Sequence, residues 1–170
     1  MSTALQDPLA TLRAVNQTSA FNMWCGIQVD SAEAGRAEIS MPWRHEVGQY
    51  AGFLHAGLVG ALIDTGCGYA AATLVGQVLA SHYSVNCLRP AVGESFVVRA
   101  RVVKAGKTQV FTAAELYAIA KGKEGLVATG EAILSVMSGG KEAKYADPGA
   151  HHALFARQPV AAHLAHRLSF

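Results

Sequence analysis

Hydrophobic and polar positions divide this chain into a helical start, one apolar helix near the middle, and long strands before and after it. "GIQVD" and "RAEISMP" alternate apolar and polar residues around a turn at Glu33–Gly35, which predicts a β-hairpin closed by Pro42. Ahead of the hairpin, Leu5, Leu9 and Leu12 form one stripe, and Asp7-Pro8 reads as an N-cap followed by a first-turn proline. A short helix is therefore predicted to about Ser19. Residues 54–76 predict a second helix of unusual composition, since Gly57, Gly60, Gly66, Gly68 and Gly76 each cost roughly 1 kcal/mol against alanine. Tertiary contacts must hold such a helix, most simply inside a wrap of sheet. Its Gly57, Gly60, Ala61, Gly68 and Ala71 make a face with almost no bulk, which lets another backbone or a thin ligand come close.

The second half alternates at period two over residues 81–88, 94–104, 108–120 and 126–137. Phe96, Val98, Ala100 and Val102 share one side of their strand, as do Val110, Thr112, Ala114, Leu116 and Ala118 of the next. Turns are predicted at "KAGK" (104–107) and "KGKEG" (121–125). Strands longer than the usual ~5–6 residues, paired antiparallel, can curl around a single helix.

Composition narrows the class. At 170 residues the chain suits one domain with a substantial core. It divides into a helical segment (1–21), a main domain (22–140) and a basic, His-rich tail (141–170). Hydrophobic residues make up 51% and charged residues 15%, the balance of a globular protein. A net charge of +2 without a basic run argues against nucleic acid as a partner. The uncharged stretch from Thr65 to Leu88 is long enough to raise the question of a membrane. Its Gln77, Ser81, His82, Ser84 and Asn86, with several glycines, argue against a spanning segment. No apolar leader precedes Arg13, the first basic residue, and Cys25, Cys67 and Cys87 fit neither a disulfide framework nor a zinc pattern. A reducing cytoplasm is the expected location.

One charge stands out. Asp64 is the sole Asp, Glu, Lys or Arg between Glu46 and Arg89, and burying an unpaired carboxylate costs several kcal/mol or raises its pKa. His55 opens the same helix nine residues earlier. At about 100° per residue the two side chains point to opposite sides of the cylinder, about 13.5 Å apart along its axis. They cannot form one site within a single helix. If both serve one reaction, a second copy of the helix supplies the other half, which predicts an antiparallel homodimer with two sites at its interface. First-turn N–H groups near Ala56 and Gly57 lack intrahelical partners and lie at the positive end of the helix dipole. They suit a developing oxyanion in acyl transfer. A carboxylate from the other subunit would activate water or attack directly, and Gln49 would orient that water or bond the carbonyl.

Bland readings of the other reactive groups are preferred. Cys67 sits among glycine and alanine with no activating base in view and reads as small core filler. His163 and His166 have metal-ligand spacing, but no carboxylate or cysteine joins them, so a solvated tail is expected. Phe53, Tyr69 and Tyr83 fit a pocket lining or core equally well.

"LHAGLVGALIDTGCGYAA" resembles the His-Gly-Gly helix signature of hotdog-fold thioesterases of the phenylacetic-acid-degradation type. That family places a glutamine, asparagine or similar residue six positions before the histidine and an Asp or Glu nine after it; Gln49, His55 and Asp64 occupy those places. The resemblance covers about residues 22–138 and implies a hotdog fold of the α+β class, with strands and helix in the order β-β-α-β-β-β-β. It implies dimers, often paired into tetramers, that hydrolyse acyl-CoA thioesters of aryl or medium-chain acids. Asp64 would be the base or nucleophile, Gln49 would position water, and His55 would support the helix start. The carbonyl-polarising N–H falls to Ala56, where the family often has glycine, and the extra methyl narrows the thioester channel. Ser81 and Ser84 are both candidates for the family's hydroxyl-bearing residue on the third strand. "LRPAVGESFVVRARVVKAGKT" is similar to the stretch that ends in the family's CoA-contacting turn, so Lys104, Gly106 and Lys107 would meet nucleotide phosphates, with Arg89 a further candidate. No metal or redox cofactor is implied. A non-catalytic acyl-CoA sensor and a hydratase or dehydratase on the same fold are the rival readings.

Overall fold

The computed structural model describes residues 7–137. Helix α1 (Pro8–Thr18) begins where Asp7 caps it, the carboxylate accepting the Ala10 N–H at 3.0 Å. It stops at Ser19, whose backbone is extended and whose hydroxyl accepts the Asn22 N–H, starting a second helix, α2 (Ala20–Cys25). Six residues are too few to show a helical period, so the sequence gives one helix there and the structure has two. Gly26 ends α2 in the left-handed conformation (φ +77°).

Strands β1 (Gln28–Glu33) and β2 (Arg36–Pro42) form the expected hairpin, with Gly35 supplying φ +75° in its turn. Helix α3 (Ala56–Val75) follows, then β3 (Val78–Cys87), β4 (Ser95–Ala105), β5 (Gln109–Ala120) and β6 (Lys123–Val136). Strand β6 starts three residues earlier than the alternation suggests. A two-residue turn, Lys121-Gly122, with positive φ at both positions lets Ala120 pair with Lys123 at once. The uncharged stretch 65–88 divides between the end of α3 and β3, so its apolarity serves a core helix and a strand. Helix α3 is long and apolar enough to cross a membrane, yet half of that stretch is buried inside the protein.

All strand pairs are antiparallel, in the order β1-β2-β4-β5-β6-β3, and α3 packs against every strand. This is the hotdog arrangement: one long helix wrapped by a curved sheet. The predicted inward positions are buried, including Phe96, Val98, Ala100, Val110, Thr112, Ala114, Leu116 and Ala118; Val102, near the strand end, is only half-buried. They meet Val59, Leu62, Ile63 and Cys67 of α3. Two glycines let helix and sheet approach: a Cβ on Gly66 would lie 2.8 Å from Val98 Cγ1, and one on Gly130 2.5 Å from Ile63 Cγ2. Gly60, assigned from sequence to an open face, receives the Tyr83 ring, whereas Gly68 has nothing within 4 Å of a built Cβ.

The two sheet edges differ. Along β1, the Arg13 side chain of α1 donates to the Val29 carbonyl. Strand β3 pairs only with β6 among the described residues, and its other edge is bare over ten residues. The tail from 138 onward, with His163 and His166, lies outside the described residues.

Candidate active site

The approach to α3 is a tight loop that carries Gln49. The Gln49 N–H donates to the Phe53 carbonyl (2.8 Å), the Gly52 N–H donates to the Gln49 carbonyl (2.9 Å), and Gly52 has φ +78°. The Gln49 side-chain oxygen accepts the Ala51 N–H at 2.7 Å. Its acceptor is therefore engaged in the turn, and the amide Nε2 is the end left for a ligand. Two further backbone bonds, His55 N–H to Val47 O (3.1 Å) and Leu54 N–H to Ala91 O (3.0 Å), fix the start of the helix.

His55 is the N-cap residue of α3. Its Nδ1 accepts the Gly57 N–H at 2.9 Å, and the Leu58 and Val59 N–H groups donate to its carbonyl. Accepting at Nδ1 leaves Nε2 as the ring's outward-facing nitrogen. The bond separates the two first-turn amides: helix geometry names both as oxyanion donors, and the family resemblance names Ala56. Gly57 N–H is engaged by His55; Ala56 N–H has no partner among the described residues and sits at the positive end of a helix of 20 residues. Gln49, His55, Ala56 and Arg89 line one hollow of about 380 Å³, with Phe53 and Val59 as its apolar wall. Arg89 also donates to the Leu126 carbonyl (2.7 Å), which steadies its guanidinium at the rim.

Asp64 lies elsewhere. Eight residues after Ala56 it is about 12 Å along the axis. It lines a different hollow, about 710 Å³, between α1, α3 and the start of β3. Its Oδ1 is buried without a hydrogen-bond partner among the described residues, and burial raises the carboxyl pKa above its ordinary value. A carboxylate in this state is a better base than one in water. Within one protomer the acid and the free amide thus face separate hollows, as their spacing requires. Cys67, one turn on from Asp64, is fully buried, and burial first, with Asp64 and Glu131 nearby, pushes its thiol up to about 11. At neutral pH it is a protonated core side chain.

The remaining sequence candidates scatter. Ser81 sits at a β3 bulge with its hydroxyl donated to the Ile133 carbonyl. Ser84 pairs with Glu131 and shares a hollow of about 620 Å³ with Lys104 and Phe111 on the outer face of the sheet, away from α3. Neither serine lines either helix hollow. Gly106 tightens the β4–β5 turn by donating its N–H to the Gln109 carbonyl, and Lys107 follows it at the tip. That turn is at the sheet end where α3 finishes, opposite the end where His55 starts it. Of the proposed phosphate contacts, only Arg89 shares a hollow with the helix start in the same chain. Sequence reading missed the walls of the Asp64 hollow contributed by α1, Leu12 and Val15, because they lie some fifty residues from Asp64 in the chain and leave no local signal.

The thioesterase superfamily model matches residues 51–124, the stretch that holds α3 and its N-cap histidine. A thioesterase family protein from Silicibacter pomeroyi is 37% identical, with 78% of this chain and 99% of that chain covered and a TM-score of 0.75. The PaaI protein of the E. coli phenylacetic acid degradation operon covers 77% of this chain and 94% of its own at 20% identity and TM-score 0.71. A Haemophilus influenzae thioesterase covers 76% and 90% at 23% identity and TM-score 0.68. The last two, at that identity, share the fold. With an unpaired acid and a free amide held on one glycine-rich helix, and a relative this similar over nearly its whole length, the chain belongs to the thioesterase superfamily of hotdog proteins.

Proposed function

We propose that this protein hydrolyses acyl-CoA thioesters at two sites built across a homodimer. The observation that carries the reading is the separation of Asp64 from the Ala56 N–H into different hollows of one protomer. An antiparallel partner joined along the bare edge of β3 would lay a second α3 alongside the first. Each acid would then face the other chain's helix start. A long uncovered edge strand is a ready surface for such pairing.

In this reading the thioester carbonyl oxygen accepts the Ala56 N–H of one chain. Asp64 of the other takes a proton from water as the water oxygen bonds to the carbonyl carbon. Gln49 Nε2, its acceptor partner already engaged, donates to the carbonyl or holds the water. The tetrahedral intermediate collapses with cleavage of the C–S bond, and the proton on Asp64 passes to the departing thiolate. A nucleophilic role for Asp64 would instead form a mixed anhydride that water then opens. The raised pKa supports the base, since it favours proton acceptance over the low-basicity carboxylate of a free aspartate. His55 holds the helix start rather than moving protons. Water and side chains suffice for this chemistry, and coenzyme A enters as part of the substrate; Arg89 at one sheet end, and Lys104 with Lys107 at the other, are the cations available to its phosphates.

The test is thiol release from a panel of acyl- and aryl-CoA esters by the wild type and Asp64→Asn. Hydrolysis lost at least ~100-fold in the variant, with CoA-ester binding retained, supports the reading. Equal turnover in both proteins removes it.

A further inference from the structure

The hollow beside Asp64 has a shape and a chemistry that the hydrolytic step does not use. Its floor is the row Asp64, Gly68 and Ala72 of α3 and the C-cap Gly76, spaced four residues apart, so it runs about 18 Å from the acid to the end of the helix. Leu12 and Val15 of α1 wall one side, and Leu79 of β3 with Leu134 of β6 the other. Among the described residues, Asp64 is the only Asp, Glu, Lys or Arg along it. The floor is open where it matters: a Cβ built on Gly68 meets no atom within 4 Å. On the α1–α2 side Asn22 donates to the Tyr69 hydroxyl at 3.0 Å and that hydroxyl donates to Asn16 at 2.9 Å, while the Thr18 hydroxyl donates to the Val15 carbonyl. The result is a long trough with the acid at one end and no further charged side chain among the described residues along it.

Resting on the reading of Asp64 as the acid at the thioester carbon, we infer that this trough holds the acyl group, and that it selects straight, uncharged aliphatic chains of medium or greater length over short or aryl acids. A single aromatic ring fills only the first part of an 18 Å trough, whereas an extended chain contacts its whole length. An acyl group with a terminal carboxylate meets no cation there among the described residues and carries its own charge against Leu12, Val15, Leu79 and Leu134. Each methylene taken from water into the trough favours binding by up to about fourfold, so kcat/KM climbs with chain length until the chain reaches the Gly76 end.

The experiment compares butanoyl-, octanoyl-, dodecanoyl- and benzoyl-CoA with the wild type, Gly68→Ala and Gly68→Leu, and measures their affinity for Asp64→Asn, in which chemistry is slowed. The expected result is a wild-type preference for the longer chains and the same order of affinity in Asp64→Asn. Gly68→Leu should reduce the dodecanoyl-to-butanoyl ratio of kcat/KM at least tenfold, with Gly68→Ala in between. Val15→Trp, which crowds the trough from α1, gives a second reading if Gly68→Leu does not fold. A wild type fastest on benzoyl- or butanoyl-CoA, or a ratio that neither variant moves, overturns the inference. The two claims fail separately. Turnover that survives Asp64→Asn defeats the hydrolytic mechanism, and affinity in Asp64→Asn that ignores chain length defeats the trough.

Discussion

Ala56 and Asp64 belong to one helix, eight residues apart, yet the free amide of one and the unpartnered carboxylate of the other open into different hollows. Any chemistry that uses both needs two chains. The amide can be removed with little disturbance. Ala56 is the first helical residue, where proline is favoured, and His55 before it already has φ −62° and ψ 133°, the conformation a residue preceding proline prefers. Ala56→Pro is therefore expected to fold and to lose about 10²–10³ in kcat, the scale of one oxyanion donor. Circular dichroism with steady-state kinetics on the same preparation checks both halves.

Asp64→Asn should lose activity and gain stability together. Burial raises the Asp64 pKa, so the folded protein holds this proton more tightly than the unfolded chain does. The group's contribution to stability is fully present below the ordinary carboxylate range and is lost as pH rises through the raised folded value. At neutral pH the wild type therefore carries an unfavourable buried charge that asparagine lacks, and the variant should melt at a higher temperature there, with the gap closing in acid. As a general base Asp64 works ionised, so wild-type kcat/KM should rise with pH through an apparent pKa above that of a free aspartate. Melting curves and rates across pH 4 to 8 read both effects.

His55 tests differently, because its clear role is to cap. His55→Ala should cost about 1 kcal/mol by stripping the acceptor from the Gly57 N–H, while His55→Asn, which keeps an acceptor at the cap, should restore most of it. Urea denaturation of the two variants distinguishes a cap from a proton shuttle: a shuttle would lose rate equally in both, with stability untouched.

How much of this was legible beforehand follows from the range of each interaction. The hairpin, α3 and the long strands were readable because their signals are local: period-two alternation, a cap residue, a glycine in a turn. The division of Asp64 from His55 was readable too, since helix geometry alone fixes it. What stayed hidden is contact between distant segments. Leu12 and Val15 wall the Asp64 hollow from the far end of the chain, and the Ser84 side chain turned outward because a bulge at Ser81 resets the alternation of β3. The resemblance already named Ala56 as the donor; the physical reason that Gly57 is not one, its bond to the His55 ring, required the structure.

The same long-range character makes Tyr69 a sensitive point. Its hydroxyl joins Asn16 of α1 and Asn22 of α2, both buried, to the central helix. Tyr69→Phe leaves those amides short of a partner and should cost about 1–2 kcal/mol. Limited proteolysis should then cut the α1–α2 segment faster than in the wild type, while the sheet resists as before.

The most direct measurement is complementation between two inactive parents. Asp64→Asn keeps its helix start and Ala56→Pro keeps its acid, so a mixed dimer has one site with both parts intact and one with neither. Unfolding and refolding the two in equal amounts makes half of the dimers mixed, and about a quarter of wild-type turnover should return. Recovery to that level places each site between two chains; a mixture no more active than the sum of its parents contradicts it.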